Sequence, residues 1–512
     1  MPTLWSSSRD RRMRRWSLTC VVVLALGLTP FAPSASASGR GTLDVPPTAA
    51  TRATLPAPFT GSVDDFYVVP HPLPAGARGD IIRMQAVDAG GSRTGWRVMY
   101  HSVDEAGHDR AVTGIVTIPN APPPDGGWPV VAYAHGTTGI SPSCAPSRGP
   151  SLPYPFGIEG VFAQTDYIGL GPVGELHPYL QREAEANAVL DSVRAAHNIA
   201  GAAVGNDWFL VGGSQGGHAA IAANEDAVTE LPEYRLLGTV ALVPGAEVTR
   251  DFDDPVQVGI IMAFAIFGNS QDSPDLDPHE LFTPEAYDAL VGPMTTQCAG
   301  EGIVAAIPFA LAGTLFRPGV EDLPQVVAWR ERNEVARRRG ESPLFVAGGV
   351  KDITVVIARV RALRESLCAI GQPLTYVEAP EGDHNTTGVI VAAQAIEWLR
   401  ARAAGEPLES DCPDVEPTTT TTAPTTTTAP TTTTTPSTTT STTIDSSTTS
   451  TTTSQSTTTT LQAPTSTTAG SGTSTTSSSS PAVVNAAGER SGGAVSPAVA
   501  ADAVTAQPSY TG

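Results

Sequence analysis

Residues 208–220 read WFLVGGSQGGHAA, and this stretch decides the fold. Its first four residues form an apolar run that is typical of a buried strand, and its last residues are small and begin a helical stretch. Between them, residues 212–216 satisfy the pattern G-x-S-x-G. In that pattern a serine occupies a sharp strand-to-helix turn, and the two glycines let strand and helix pass without side-chain clashes. The stretch therefore predicts a strand–turn–helix that presents Ser214 as a nucleophile.

Short apolar runs alternate with amphipathic stretches on both sides of this motif. Apolar runs predict strands at residues 96–100, 111–118, 129–134, 208–211, 237–243, 344–347 and 374–378. Helical stretches lie at 183–197, at 218–227 and after the loop 381–388. This alternation is typical of βαβ units, which build a mostly parallel sheet covered by helices on both faces. The predicted fold class is α/β.

The pattern changes between about residues 250 and 340. This block is apolar and helical, with runs at 258–267 and 303–315 separated by acidic turns that contain proline. Its length and position favour a helical cap inserted before the strand at 344–347. The alternative is a set of ordinary core helices of the main domain.

A serine hydroxyl becomes a good nucleophile only when a base removes its proton, and that base is commonly a histidine oriented by a carboxylate. In this topology the acid and then the histidine follow the serine in the chain. Of nine histidines, only His384 falls in a loop after the last predicted strand. Asp352 follows the strand at 344–347 and a glycine turn, so it is the predicted acid. Asp383 is the weaker candidate, because it is too close in sequence to reach around the ring of His384.

Two main-chain N–H groups should stabilise the oxyanion that forms when the serine attacks a carbonyl. The first belongs to the residue after the nucleophile, Gln215. The second is predicted to come from Thr137, in the loop HGTTG that follows the strand at 129–134. His135, at the start of that loop, is interpreted as a structural residue that braces the loop through hydrogen bonds.

The two ends of the chain differ in composition from the rest. Residues 1–37 combine five arginines, an apolar run at 20–28 and small residues near position 37, which is the layout of a secretory signal peptide. From about 417 to 480 the sequence is almost entirely Thr, Ser, Pro and Ala, a composition that cannot build a core. We therefore expect a signal peptide at 1–37, a folded domain at 38–412 and a disordered tail at 413–512. The tail could associate the exported protein with a cell wall.

Net charge limits which partners the protein can bind, and cysteine content indicates the redox compartment in which it folds. Loss of residues 1–37 removes five Arg and one Asp and changes the formal net charge from −21 to −25. Such an acidic chain is a poor binder of nucleic acid, and no segment offers the roughly 20 apolar residues that an integral membrane span needs. Four cysteines remain after the signal peptide, and in an exported chain they suggest two disulfides. Three pairings are possible, of which Cys144–Cys298 with Cys368–Cys412 is preferred.

Together these motifs resemble the secretory lipase family, the lipase A-like enzymes of the α/β-hydrolase superfamily. The resemblance covers about residues 60–405 and rests on the motifs DFY at 65–67, HGTTG at 135–139, CAPS at 144–147, DYIGLG at 166–171, the turn at Ser214, Asp352 and His384. It implies an α/β-hydrolase core with a helical lid, no metal or cofactor, and hydrolysis of acylglycerols or simpler esters. One departure is visible, because Val355-Val356 stands where the family pattern has Val-Pro.

The predicted function is therefore that of a secreted serine hydrolase of carboxylic esters, in the first place a lipase that works through an acyl-enzyme intermediate. A peptidase or a short-chain esterase on the same fold is the nearest alternative, because the predicted catalytic residues do not distinguish ester from amide. A wall-associated binding protein that has lost activity is an alternative of a different class. We expect an apolar pocket under the cap to favour lipid esters.

Overall fold

The computed structural model describes residues 55–149, 157–200, 203–246, 257–340 and 342–412. The predicted signal peptide and tail, at 1–37 and 413–512, lie outside the described residues, as does the first part of the predicted cap. Within the described ranges the chain forms nine strands: β1 Ile81–Val87, β2 Arg93–Val103, β3 Asp109–Pro119, β4 Trp128–Ala134, β5 Val161–Thr165, β6 Val204–Gly213, β7 Arg235–Leu242, β8 Leu344–Gly349 and β9 Leu374–Ala379.

These strands form one sheet in the order β1-β2-β3-β5-β4-β6-β7-β8-β9. The pairs from β1 to β5 are antiparallel, and every pair from β5 to β9 is parallel. All seven predicted strands are present, and the sheet is mostly parallel, as the α/β prediction requires. Because parallel strands end at the same edge, the loops after β4, β6, β8 and β9 meet on one side of the sheet.

Helices cover both faces of this sheet. Their bounds are α1 Val63–Phe66, α2 Arg182–Ala200, α3 Gln215–Glu230, α4 Gln257–Asn269, α5 Pro278–Leu281, α6 Pro284–Thr296, α7 Ala299–Ala312, α8 Pro324–Asn333, α9 Ile357–Ala369 and α10 Thr387–Ala403. Alternate residues of β6 face opposite layers: Trp208 and Leu210 belong to the core shared with α2 and α3, whereas Phe209 and Val211 pack in the core with α10. Residues 208–211 of β6 are therefore buried on both faces, which explains their unbroken apolar sequence.

Helices α4 to α8 lie between β7 and β8, where the sequence predicts a helical cap. Helix α4 is apolar around its whole circumference, and its residues from Val258 to Asn269 are almost all buried, as expected for a helix enclosed by other elements. Helix α7 begins against the loop after β4, since Ala299 N–H donates to the Thr138 carbonyl at 2.9 Å. The inserted helices thus contact the loop that the sequence predicts to carry an oxyanion donor.

Both preferred disulfides are present. Cys144 bonds to Cys298 with Cα atoms 5.4 Å apart, and Cys368 bonds to Cys412 with Cα atoms 5.2 Å apart. The first joins the loop after β4 to the residue that precedes α7, and the second joins α9 to the last described residue. The pairing that the sequence left open among three possibilities is therefore the preferred one.

Candidate active site

Ser214 lies at the turn between β6 and α3 in a strained backbone conformation. Its φ of 56° and ψ of −121° are unusual for a residue with a side chain, and such positions cost about 1 to 3 kcal/mol unless the surroundings enforce them. Here the surroundings do so. Ser214 N–H donates to the Leu242 carbonyl at 2.9 Å, and the Ser214 carbonyl accepts from the N–H groups of Gly217, His218 and Gly245. The strand–turn–helix predicted from residues 208–220 is confirmed.

The two glycines of the motif are required by close packing. A Cβ on Gly216 would overlap the carbonyl oxygen of Ala134 at the end of β4, and one on Gly212 would overlap the carbonyl oxygen of Gly216. Gly213 is different, because its added Cβ would have the Leu242 carbonyl oxygen as its nearest neighbour, at an ordinary 3.8 Å. The requirement therefore falls on positions 212 and 216, as the motif predicts.

His384 forms hydrogen bonds with both Ser214 and Asp352. Its Nε2 lies 2.9 Å from Ser214 Oγ, and its Nδ1 lies 2.8 Å from the Asp352 carboxylate. Because an ionised carboxylate can only accept, Nδ1 carries the proton and Nε2 is free to accept the serine hydroxyl. The structure thus brings together the three residues that the sequence selected from loops after β6, β8 and β9.

Asp352 is held rigidly where it contacts the imidazole. Its side chain is fully buried, while that of His384 is 20 % exposed. Its second oxygen accepts the main-chain N–H groups of Thr354 at 2.8 Å and Val355 at 2.9 Å. These bonds satisfy the carboxylate and prevent it from turning away from the ring. The replacement of Val-Pro by Val-Val after Asp352 does not disturb this arrangement.

Asp383, the weaker candidate for the acid, is oriented differently. Its exposed carboxylate accepts from the N–H groups of Asn385 and Thr386 and from the Thr386 hydroxyl. These hydrogen bonds, those to Thr386 first, lower the pKa of Asp383. The side chain organises the turn that precedes α10, while the Nδ1 bond of His384 goes to Asp352.

The loop after β4 passes close to Ser214, as predicted for an oxyanion loop. The position of a Cβ on Gly136 would be 3.6 Å from Ser214 Cβ. The next residue, Thr137, has its hydroxyl 2.6 Å from the Tyr179 hydroxyl. Gln215 is the first residue of α3, and the first N–H groups of a helix have no acceptor within the helix. Both predicted donors therefore belong to backbone beside the nucleophile.

His135 has the bracing contacts expected from the sequence. Its Nδ1 lies 2.7 Å from the Gly136 carbonyl, and its Nε2 lies 3.3 Å from the Asp166 carbonyl. Burial lowers the pKa of His135, which favours the neutral ring, and a neutral ring donates through one nitrogen only. The side chain therefore ties the loop after β4 to the end of β5 in the tautomer that carries its proton on Nε2.

A buried polar cluster behind Ser214 was not predicted from the sequence. Glu185 of α2 contacts His218 and Gln215 of α3, and His177 contacts the same glutamine. No local motif marks these residues, since Glu185 lies on a helix with other charged side chains and its side-chain partners on α3 are 30 or more positions away. A glutamate facing the sheet side of an amphipathic helix is the only signal that could have identified it.

The described residues contain no group of three or more His, Cys, Asp or Glu side chains that could hold a metal ion. Among the same residues, no helix is long and apolar enough to cross a membrane. Ser214, His384 and the buried carboxylate of Asp352 form one hydrogen-bonded chain. These side chains are sufficient to transfer a proton.

The strand order, the turn at Ser214 and the helices inserted between β7 and β8 define an α/β-hydrolase. In comparisons with known proteins, residues 159–411 match the secretory lipase family. Lipase 1 of Candida albicans is 24 % identical over 394 residues, which are 68 % of this chain and 82 % of the relative. Lipase 4 of the same yeast is 23 % identical over 406 residues, covering 72 % and 87 %. The chain belongs to the secretory lipase family and is an ester hydrolase.

Solved structures share the same fold. Candida antarctica lipase A in its closed state superposes with a TM-score of 0.59 at 15 % identity, covering 68 % of this chain and 87 % of that one. The rice cell wall degrading esterase LipA from Xanthomonas oryzae gives a TM-score of 0.54 at 18 % identity, covering 64 % and 98 %. At these identities the likeness concerns the fold.

Proposed function

We propose that this protein hydrolyses carboxylic esters by acyl transfer through Ser214. The observation that carries the proposal is the chain of hydrogen bonds from Asp352 through His384 to Ser214, with bonds of 2.8 and 2.9 Å. His384 Nε2 takes the hydroxyl proton while Ser214 Oγ attacks the ester carbonyl carbon. Asp352 keeps the ring in the required tautomer and stabilises the imidazolium.

The electron pair of the C=O π bond moves to the carbonyl oxygen, where the N–H groups of Gln215 and Thr137 would stabilise the negative charge. The helix dipole of α3 adds to this, because its amino-terminal end lies at Ser214. Collapse of the tetrahedral intermediate expels the alcohol, which receives the proton held by His384. Water then attacks the acyl-enzyme with His384 as the base, and this second half releases the carboxylic acid and restores Ser214.

Labelling with a fluorophosphonate probe tests the nucleophile. We expect the wild-type protein to be labelled at Ser214, and the Ser214→Ala variant to be unlabelled and to lose ester hydrolysis by a factor of about 10⁴ or more. Circular dichroism spectra should show that the variant is folded. A correctly folded wild-type protein that is not labelled and does not turn over esters would instead support the binding protein without activity.

The proposed substrates are acylglycerols or related lipid esters. The support is the inserted helical region, whose apolar helix α4 packs beneath an apolar α7 with Ile303, Val304 and Leu311 exposed. The names of the yeast relatives, both lipases, point the same way, whereas the neighbour from Xanthomonas oryzae is an esterase that degrades rice cell walls. Both names are compatible with a serine ester hydrolase.

Chain-length preference separates a lipase from a short-chain esterase. Rates on p-nitrophenyl esters of increasing acyl length should rise beyond butyrate, and an emulsified triglyceride should be hydrolysed. If only acetate and butyrate are turned over and the emulsion is not attacked, the protein is an esterase. Cleavage of an amide or peptide substrate at a comparable rate would favour the peptidase.

We further propose that the chain is secreted, with a signal peptide at 1–37 and a tail at 413–512 after the catalytic domain. The two disulfides support export, because such bonds persist in oxidising compartments. Amino-terminal sequencing of the mature protein should place the cleavage near Ser38. Retention at a cell wall through the tail rests on composition alone, and fractionation of cells producing chains with and without residues 413–512 tests it.

A further inference from the structure

Both proposed oxyanion donors are attached to one buried segment of the chain, residues 177–185. On one side, Thr137 Oγ1 lies 2.6 Å from the hydroxyl of Tyr179. On the other side, the amide nitrogen of the Gln215 side chain lies 2.8 Å from the Glu185 carboxylate and 2.6 Å from His177 Nε2. The segment therefore contacts, through side chains, the two residues whose main-chain N–H groups are the proposed oxyanion donors.

The protonation of His177 fixes the orientation of the glutamine. His177 Nδ1 donates to the Ile168 carbonyl at 2.8 Å, which leaves Nε2 as an acceptor. Burial lowers the pKa of His177 to about 4, so the ring is neutral near pH 7. Gln215 then has an acceptor for each of its two amide hydrogens, the imidazole and the Glu185 carboxylate. Reversing the amide would place its oxygen against two acceptors, which would repel it. The side chain therefore has a single orientation.

The charge of Glu185 is compensated by His218. The Glu185 side chain is fully buried, and its second oxygen lies 2.8 Å from His218 Nδ1. His218 Nε2 lies 2.8 Å from the Asn333 carbonyl, so both ring nitrogens face acceptors. Burial alone would lower the pKa of His218, but the hydrogen bond and the attraction of Glu185 raise it. A buried ion pair with its remaining hydrogen bonds satisfied is a rigid anchor, since neither charge can move without losing its partner.

The same segment is fixed to the inserted helices. Asn333, the last residue of α8, accepts the main-chain N–H of Arg182 at 3.0 Å through its side chain. Asn269, the last residue of α4, donates to the Tyr179 carbonyl at 2.9 Å. Residues 177–185 are therefore held between α3 on one side and the ends of two inserted helices on the other.

We propose that Glu185 and Tyr179 are positioning residues of the oxyanion hole, acting through Gln215 and Thr137. The inference rests on the proposed function, because the contacts of Glu185 and Tyr179 matter for catalysis only if Gln215 and Thr137 stabilise the oxyanion. Oxyanion donors accelerate the reaction when they are held in place before the charge develops. Side-chain anchors serve this purpose here, because Gln215 follows the strained Ser214 and Thr137 lies in a loop that has no strand pairing to hold it.

The sharpest variant is Gln215→Met, which keeps the main-chain N–H but cannot donate from its side chain. We expect kcat on p-nitrophenyl butyrate to fall by about 10- to 100-fold while KM changes by less than about twofold, because the donor is displaced and the substrate pocket is not. Tyr179→Phe and Glu185→Gln should show the same division between kcat and KM.

Matched controls exist in the same core. Asp191→Asn removes a buried carboxylate from the same helix, α2, where it pairs with Arg78 and Arg194. Tyr100→Phe removes a buried hydroxyl that bonds to Thr165 at 2.7 Å. Neither control residue contacts Gln215 or Thr137 through any hydrogen bond described here. Both controls should lower the melting temperature and leave kcat within about twofold, since they weaken the fold alone.

A trifluoromethyl ketone with a butyl chain provides a second readout. Ser214 Oγ adds to its carbonyl carbon, the carbonyl electron pair becomes the oxyanion, and the proton passes to His384. In the three variants the inhibition constant should rise by the factor by which kcat/KM falls. In the two controls it should be unchanged, because a merely structural loss does not alter the affinity for the oxyanion.

Unchanged kcat in both Gln215→Met and Tyr179→Phe, or losses no greater than in the controls, would overturn the proposal. These two variants leave the Glu185–His218 ion pair intact, so they remain informative if Glu185→Gln does not fold. The Ser214→Ala variant distinguishes failure of the proposed function from failure of the positioning proposal. If it turns over ester as fast as the wild type, the proposed function fails and this proposal with it. If it is inactive while the positioning variants are fully active, only the positioning proposal fails.

Discussion

Ser214 is held in its strained conformation by the backbone of β7 and α3. Its N–H bonds to the Leu242 carbonyl, and its own carbonyl accepts three N–H groups. Because the strain is imposed by main-chain contacts, replacement of the side chain should not release it. This is why Ser214→Ala is a suitable test of the proposed nucleophile: the main-chain contacts that hold the turn do not include the hydroxyl.

Asp352 and Asp383 offer a direct test of which carboxylate orients His384. Asp352→Asn should lower kcat by about 10³- to 10⁴-fold, because an amide at this position favours the wrong imidazole tautomer. Asp383→Asn should leave kcat within a few-fold, since the exposed Asp383 caps the turn before α10. Steady-state kinetics on one ester suffice, and an equal loss in the two variants would mean that Asp352 is not the only acid.

Stability should fall in mild acid because His177 is buried as a neutral ring. Its pKa in the folded protein is about 4, whereas the unfolded chain binds a proton below about 6.5. The unfolded state therefore binds more protons in this window, and the free energy of unfolding should drop by about 2 kcal/mol between about pH 7 and pH 5. His218 offsets only the first part of this loss, because the stability that its raised pKa contributes increases as the pH falls from 7 and is complete below the unfolded value of about 6.5.

Urea unfolding of wild type and His177→Gln at both pH values measures this contribution. The amide can accept from Gln215 and donate to the Ile168 carbonyl, but it does not titrate. We expect the variant to show a shallower pH dependence than the wild type. Parallel pH profiles for the two chains would show that His177 is not the source of the acid sensitivity.

At the scale of the residue, the sequence identified the candidate site residues that follow a strand. Ser214, Asp352 and His384 could be selected because each follows a strand whose end lies at one edge of the sheet. Glu185, His177 and Tyr179 could not, because their partners come from other elements and nothing in their local sequence indicates that they face inward. Buried polar clusters are specified by packing between distant segments, which one sequence does not display.

At the scale of the element, the turn between β6 and α3 depends on Gly216 far more than on Gly213. Gly216→Ala should destabilise the protein by several kcal/mol, about 3 or more, because the methyl group meets main-chain atoms at the end of β4 that cannot move aside. Gly213→Ala should change the free energy of unfolding by less than about 1 kcal/mol, since its site has room. Chemical denaturation of both variants decides the matter, and similar losses would contradict this packing.

The two disulfides should differ in what their loss affects. Closing loops of 154 and 44 residues corresponds to about 5 and about 4 kcal/mol of chain entropy as upper estimates. Alanine pairs replacing either disulfide should therefore lower the melting temperature. Only loss of Cys144–Cys298 should also reduce kcat, because that bond joins the loop of Thr137 to α7. Equal kcat in the two alanine-pair variants, each assayed well below its melting temperature, would argue against that link.

Two strands of the sheet were missed from the sequence for different reasons. Strand β1, Ile81–Val87, is a half-buried edge strand that alternates weakly. Strand β5, Val161–Thr165, is fully buried, yet it ends in Gln164 and Thr165. The Thr165 hydroxyl accepts a hydrogen bond from the Tyr100 hydroxyl, so the last two residues of this strand are buried as polar side chains, after only three apolar ones. Hydropathy identifies strands that pack by apolar contact and overlooks those that pack through satisfied polar groups.

For the whole molecule, the catalytic domain should be self-sufficient up to residue 412. A chain ending after Cys412 should keep the kcat/KM of the full-length protein, because the proposed triad, the sheet and both disulfides lie within residues 81–412. A chain ending after Ala403 removes Cys412 and should unfold at a lower temperature, by several degrees or more. Thermal unfolding and ester hydrolysis of the two chains test this boundary, and loss of activity in the first would place part of the active domain in the tail.

The Cys368–Cys412 bond also determines how mechanical load would enter the domain. Residues 368 to 412 form a covalent loop that contains β9, α10 and His384. A pull on the chain beyond Cys412 would pass through the bridge to α9 without stretching that loop. The segment that carries His384, the proposed catalytic base, is thus shielded from tension, and an enzyme held by its carboxyl-terminal end could work under a load that would otherwise pull its last helix away.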